Sequence, residues 1–341
     1  MRDIHTPYIT DPEEIAILEK SMHGEMQYTL MNDFLAKYTL QNDKYALAGL
    51  LSALLNLELK EITDIDILNP VELNEAIDDK KCILDVKLEM NHSTIINIEI
   101  QSVYQSFWPE RSLTYLCRMF DHLKEGQGYS NLKPCIQIGI LENDIFKSDD
   151  SRYTGDFYSE YQILHMKKHT GYCGKFKICV LSLNHLDEVP ENERKNHNGL
   201  YYWAKLFTVK SWEELKMIAN EDSRIKSYVT TVRKLSAEEK VAQACEARRR
   251  YSNDIATYEE EKRLAEQKVQ KAEQEVKTVK QEARQEIQKV KQEARQEVEG
   301  AKQEAEEAKQ EVEEVRQMLD EKDRLMEEMA RELELLRGKV K

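Results

Sequence analysis

Alternation of apolar and polar residues marks the middle of the chain. In KCILDVKLEMNHSTIINIEIQ, residues 81–101, Ile83, Asp85 and Lys87 fall on one side of a period-two pattern and Leu84, Val86 and Leu88 on the other. After a short polar turn, Ile96, Ile98 and Ile100 form an apolar face, and Asn97, Glu99 and Gln101 line the opposite one. The spacing predicts two paired strands that gather Asp85, Glu99, Lys87 and Gln101 at one patch against β-branched walls. Further strands are expected over 62–70 (ITDIDILNP, with Pro70 as a stop), over 134–142 (PCIQIGILE, an apolar run suited to a buried strand), and around 155–165 and 175–183. Helical spacing runs over 20–57, where Phe34, Leu35, Leu47, Leu50, Leu51, Leu54 and Leu55 recur in steps of three and four. The polar TLQND between Tyr38 and Lys44 marks where this helix would divide in two. Residues 108–126 also read as a helix, with Pro109 in the first turn, Leu113, Leu116, Met119, Phe120 and Leu123 on one face and Gly126 as its stop. The chain turns helical again from Leu200 to about Arg250. This order predicts an α/β head with a mixed sheet flanked by helices.

From about Tyr258 the pattern changes. Residues 261–341 hold no aromatic residue and no proline, so this stretch cannot close a globular core and its helix needs a partner. Apolar residues recur in threes and fours from Ala265 to Leu319, then at Met326, Met329, Leu333 and Leu336, which is coiled-coil patterning. Three eleven-residue repeats sit inside it, KQEARQEIQKV (280–290), KQEARQEVEGA (291–301) and KQEAEEAKQEV (302–312). An eleven-residue period gives about 3.67 residues per turn, so this section is expected to be straight or slightly right-handed. A solvated single helix held by Glu to Lys and Glu to Arg pairs, each worth about 0.2–0.5 kcal/mol, is the alternative. The regular stripe favours the coil, although seven of its seam positions are only alanine. The expected division is therefore a head over 1–200, a helical extension over 201–257 and a long C-terminal coiled coil over 258–341 that makes a homo-oligomer. In a parallel dimer, about 75 coiled residues would put two heads at one end of a rod of about 110 Å.

Composition adds limits. The hydrophobic fraction of 40% is low for one compact globule of 341 residues, in keeping with an extended tail. The net charge of −14 argues against a uniformly basic surface for coating nucleic acid, but leaves room for local basic patches and for a substrate bound through metal ions. No run of eighteen apolar residues appears, and MRDIHTPYITDPEE lacks the basic start and apolar core of a signal peptide. A cytoplasmic protein with no membrane partner is the expectation. The six cysteines read as reduced thiols, and the nearest pair, Cys173 and Cys179, is a weak ligand signal.

Asp and Glu on strands are often no more than the wet face of a sheet. Three features argue for chemistry here. A well-formed helix carrying Arg111 follows Gln101, the apolar strand faces imply burial on one side, and Lys87 shares the face of Asp85. Asp85 and Glu99 offer hard oxygen ligands for Mg²⁺, and Lys87 or Gln101 could orient a water or offset developing negative charge. Other groups carry less. His165 and His169 are four apart but fall in strand and loop, so surface histidines are the better reading. Arg248, Arg249 and Arg250 read as a solvated helix end. Tyr201, Tyr202 and Trp203 could stack on bases, but core packing suits them better.

ILDVK, a turn, INIEIQ and the following ERSLTYLCRMFDHLKEGQGYSNLKPCIQIGIL together resemble the PD-(D/E)XK nuclease superfamily. Within it the chain is most similar to the bacterial recombination-promoting nuclease and putative transposase family. The likeness covers about residues 20–250, and its most specific parts are Asp85, Glu99 and Gln101 with the spacing of Arg111, Tyr115, Gly126 and Tyr129. It implies a restriction-endonuclease-like sheet and a Mg²⁺-dependent (or Mn²⁺-dependent) DNA endonuclease acting in recombination or transposition. By that likeness Asp85 and Glu99 are the metal-binding carboxylates. Gln101 stands where the superfamily usually has lysine; the related family often carries glutamine there, and Lys87 on the facing strand is a substitute. Asp33, in the NDF of the first helix, matches a position where members often add an acidic metal ligand. The second reading is a nuclease fold that has lost turnover and serves as a dimerised scaffold, favoured by the acidic charge and by Gln101.

Overall fold

The computed structural model describes residues 3–71, 73 and 85–338. A six-stranded mixed sheet runs in the order β1-β2-β3-β4-β6-β5. Its strands are β1 (Ile65–Ile67), β2 (Val86–Met90), β3 (Thr94–Gln101), β4 (Cys135–Leu141), β5 (Tyr158–Gln162) and β6 (Phe176–Ser182). The centre is parallel, β3 beside β4 beside β6, and β2, β1 and β5 attach antiparallel towards the edges. The parallel strands are buried on both faces, which is why IINIEI and CIQIGIL read as nearly continuous apolar runs. Ile83 and Leu84, expected in the first strand of the hairpin, lie outside the described residues. The described pairing begins at Val86, opposite Ile98.

The helices are α1 (Pro12–Ser21), α2 (Asp33–Asn42), α3 (Lys44–Leu55), α4 (Trp108–Phe120), α5 (Asn196–Thr208), α6 (Trp212–Ile218), α7 (Ser223–Ser236) and α8 (Glu239–Gly338). Three sequence expectations need correction. The helix expected from residue 20 starts only at Asp33, because Gly24 takes a left-handed φ of 78° and Asn32 caps α2 by accepting from the Leu35 amide. α2 and α3 then separate at Asp43, which caps the Ala46 amide and accepts from the Ser227 and Thr231 hydroxyls of α7 at 2.6 and 2.9 Å. α4 stops at Phe120, short of Gly126, whose φ of 84° belongs to a later turn. β1 keeps only three residues of the nine expected; the Leu68 amide still donates to the Lys87 carbonyl at 2.8 Å, after which Asn69 meets β2 through its side chain and Pro70 stops the strand.

α3 is buried along most of its length between the sheet and α5 and α7. A Cβ at Gly49 would come within 2.8 Å of both Trp203 and Arg224, so glycine permits this close crossing. α8 begins well before the change in composition at Tyr258, and its first turns bury Val241, Ala244 and Cys245 in the core. The chain divides into two compact units, Met1–Glu259 and Glu260–Lys341. In the second, every described side chain from Arg263 to Leu335 is exposed. No described helix is long and apolar enough to cross a membrane.

Candidate active site

The antiparallel register that sets Val86 opposite Ile98 carries on to set Asp85 opposite Glu99, and it sets Lys87 opposite Asn97. Parallel pairing then places Gln137 beside Asn97, and Gly139 beside Glu99. Gly139 is required there: a Cβ would lie 2.4 Å from the indole of Trp108, the first residue of α4, which packs flat against the sheet at this point. Asp85 is fixed by a side chain imitating a strand. Asn69 donates to the Asp85 carbonyl at 2.9 Å and accepts from the Lys87 amide at 2.8 Å. Gln41 of α2 holds the next part of the same loop through both the amide and the carbonyl of Val71.

Asp33, Asp85, Glu99, Gln101, Arg111 and Arg248 line one cavity of about 150 Å³. Glu99 is 1% exposed and Asp85 8%, and neither carboxylate oxygen of Glu99 has a hydrogen-bond partner among the described residues. Arg111 Nη2 comes within ion-pair range, 3.0 Å from Glu99 Oε1, while its Nη1 donates to Gln105 and its guanidinium lies 5.3 Å from the Tyr115 ring centre. Burial above all, with the Asp85 charge adding, pushes Glu99 up to about 7 against the pull of Arg111. Burial also raises Asp85, opposed by the Asn97 amide at 3.4 Å and by the charges of Arg111 and Lys37. The two strand carboxylates thus face one buried cavity with Arg111 in contact, both raised by burial, and such a pair of hard oxygen donors suits a divalent cation.

Asp33 faces the same cavity but is held by Arg248, whose Nε donates to its two oxygens at 2.7 and 2.8 Å. Gln101 donates to the Val103 carbonyl at 3.0 Å. Lys87 stands apart, two residues and roughly 7 Å back along the sheet. It lines a neighbouring cavity of about 390 Å³ that shares Asp85 and includes Lys37, Asn97 and Tyr115. Of the four strand residues, the structure therefore brings Asp85, Glu99 and Gln101 together and separates Lys87.

Sequence reasoning missed two residues. Lys37 is 1% exposed and stands one turn after Asp33 on α2. The signal was present in DFLAK, where a lysine interrupts an otherwise apolar face. Arg248 was expected on a solvated helix end; because α8 starts at Glu239, its early turns pack on the head and aim Arg248 inward. Arg249 and Arg250 do stay on the surface, paired with Glu246.

A second cluster lies at the far end of β2. The ligand atoms of Asp64, Asp66 and His92 all fall within 4.8 Å of one another and could hold a metal ion. His92 reaches both aspartates, 3.2 Å to Asp64 and 3.6 Å to Asp66, from a side chain that is 73% exposed. Its groups satisfy one another, unlike the buried oxygens of Glu99, so the cavity at Asp85 is the stronger candidate. His165 and His169 sit on an exposed turn, Cys173 and Cys179 are free thiols, and Tyr201, Tyr202 and Trp203 pack on the core. A family model described as PD-(D/E)XK nuclease family transposase matches residues 30–262 of the chain. No curated protein and no solved structure matches it.

Proposed function

The chain belongs to the PD-(D/E)XK nuclease family of transposases, and on that premise we propose that it hydrolyses DNA phosphodiester bonds with a divalent cation held by Asp85 and Glu99. The Glu99 carboxylate, buried and facing Asp85 in one cavity, carries this reading. Two hard oxygen donors on facing strands fit Mg²⁺, or Mn²⁺ in its place. Such an ion would supply polarisation of the phosphate and a bound water made more acidic than bulk water.

The rest falls to the chain's own residues. Glu99 as a carboxylate would hold the ion together with Asp85, and Asn97 steadies the Asp85 carboxylate. Lys37 beside Asp85 and Arg111 beside Glu99 offset charge developing on the phosphate oxygens. Gln101, neutral and at the end of β3, orients the attacking water, and Lys87 in the adjoining cavity meets a flanking phosphate. Asp33 orders the wall of the site through Arg248. The catalytic unit is the head over 1–200 with its helices over 201–257, and the tail over 258–341 brings heads together for cutting in recombination or transposition.

The pairing of Arg111 with Glu99 and of Arg248 with Asp33 favours a second reading, a scaffold in which arginines have replaced the cation. Thermal unfolding in Mg²⁺ or Mn²⁺ separates the two. Binding to the folded state stabilises by about 2.7 kcal/mol at a hundredfold excess over Kd. A rise in Tm for wild type that is absent in Asp85→Ala supports the nuclease, and no rise in wild type leaves the scaffold.

A further inference from the structure

The hairpin joining β5 to β6 differs in charge from the chain that carries it. The protein has a net charge of −14, yet residues 161–175, YQILHMKKHTGYCGK, hold no carboxylate. Every side chain from Tyr161 to Tyr172 is exposed. Lys167 and Lys168 sit at the tip, and neither forms an ion pair among the described residues, whereas Lys177 at the base is paired with Glu160. Apolar groups share the tip: Met166 is 89% exposed and Tyr172 84%, with Ile163 and Leu164 behind them.

The tip is a built turn. Tyr172 and His165 donate backbone amides to Ile163 and Thr170 across the arm, at 2.9 and 2.8 Å. His169 donates to the His165 carbonyl at 2.8 Å, and the amides of Lys167 and Lys168 donate to the His165 ring at 3.3 and 3.2 Å. Exposed apolar groups at this density on one arm signal a partner, and the adjoining cations, in a chain otherwise acidic, select a polyanion.

We propose that this arm grips duplex DNA, with Lys167 and Lys168 on phosphates and Met166 as an apolar wedge in the minor groove. The proposal rests on the nuclease reading and extends it to how the duplex is held. The register aligns Glu99 with Gly139, Val180 and Ser159, and Met166 lies seven residues beyond Ser159. At ~3.3 Å per residue and ~4.8 Å per strand, the tip stands roughly 27 Å from Glu99. It lies beyond the end at which β3, β4 and β6 begin, while the cavity of Asp85 and Glu99 is lined by Gln101, Ser102 and Val103 where β3 ends. The arm therefore meets phosphates away from the cut and not inside the cleavage cavity.

The test uses the full chain and a fluorescent 30-base-pair duplex without divalent cation, read by anisotropy between 50 and 200 mM salt. In Lys167→Ala/Lys168→Ala the slope of log K against log salt should fall by about 1.8, with affinity at 0.1 M salt at least about tenfold weaker. Met166→Ala should keep the slope and lose the bend, seen as lower energy transfer between labelled duplex ends. An unchanged slope and affinity in the double variant, with wild type still nicking DNA in Mg²⁺, overturns the arm and spares the nuclease. Retained DNA binding with lost binding to phosphatidylserine vesicles likewise overturns it, in favour of a membrane surface. Wild type that neither binds nor nicks overturns the nuclease reading first. The arm is exposed, so an unchanged Tm of each variant shows that folding is not the cause.

Discussion

Glu99 holds a charge in a place that resists it. With its carboxyl raised to about 7, the folded protein binds more protons than the unfolded chain between about pH 4.5 and pH 7. The contribution of this group to stability is therefore fully present below about pH 4.5 and is lost as pH rises through 7, a change of roughly 3 kcal/mol. Glu99→Gln removes the titration and keeps the shape. Without metal it should unfold at a higher temperature than wild type at pH 8 and at nearly the same temperature at pH 5, while losing cleavage. Equal shifts at both pH values would mean that Glu99 is not buried as a destabilised charge. At this scale Asp85, Glu99 and Gln101 were legible because a short turn fixes strand register, and register fixes which side chains share a face. Lys37 and Arg248 were not, since they reach the site on helices docked from remote parts of the sequence. Lys87 obeyed its expected face but stands one pair too far down the strand.

At the scale of elements, the site depends on how closely α4 approaches β4. Gly139→Ala sets a methyl against the Trp108 ring and should cost about 1–3 kcal/mol in urea unfolding, because a packed core has no room to spare. It should also slow cleavage, since α4 carries Arg111. Adding Trp108→Leu clears the contact and should make the double variant more stable than the sum of the single changes; strict additivity would deny the contact. The isoleucine-rich strands β3 and β4, and the mixed apolar β6, were legible to within a residue or two from alternation and apolar runs. The boundaries of α2, α4 and α8 were not. Each is set by a cap, a turn or a docking surface, Asn32 for the first and the buried Val241 and Cys245 for the last, rather than by periodicity.

For the whole molecule, the apolar stripe of the tail carries the prediction. Val269, Val276, Ile287, Val290 and Val298 are each more than half exposed in the single chain, and the proposed coiled coil would cover them with a second copy. Sedimentation of the full chain should give a mass above one protomer, and Val290→Asp with Val298→Asp should reduce it to one. A single-chain mass for wild type would contradict the coiled coil. The change in composition near Tyr258 was legible, and the chain divides into its two compact units between Glu259 and Glu260. The central claim concerns the head, and nicking of supercoiled plasmid by purified protein tests it most directly. With Mg²⁺ the wild type should convert supercoiled plasmid to open circles, with EDTA it should not, and Asp85→Ala and Glu99→Ala should each abolish the conversion. Intact plasmid with wild type, or nicking by the variants at the wild-type rate, would contradict the assignment.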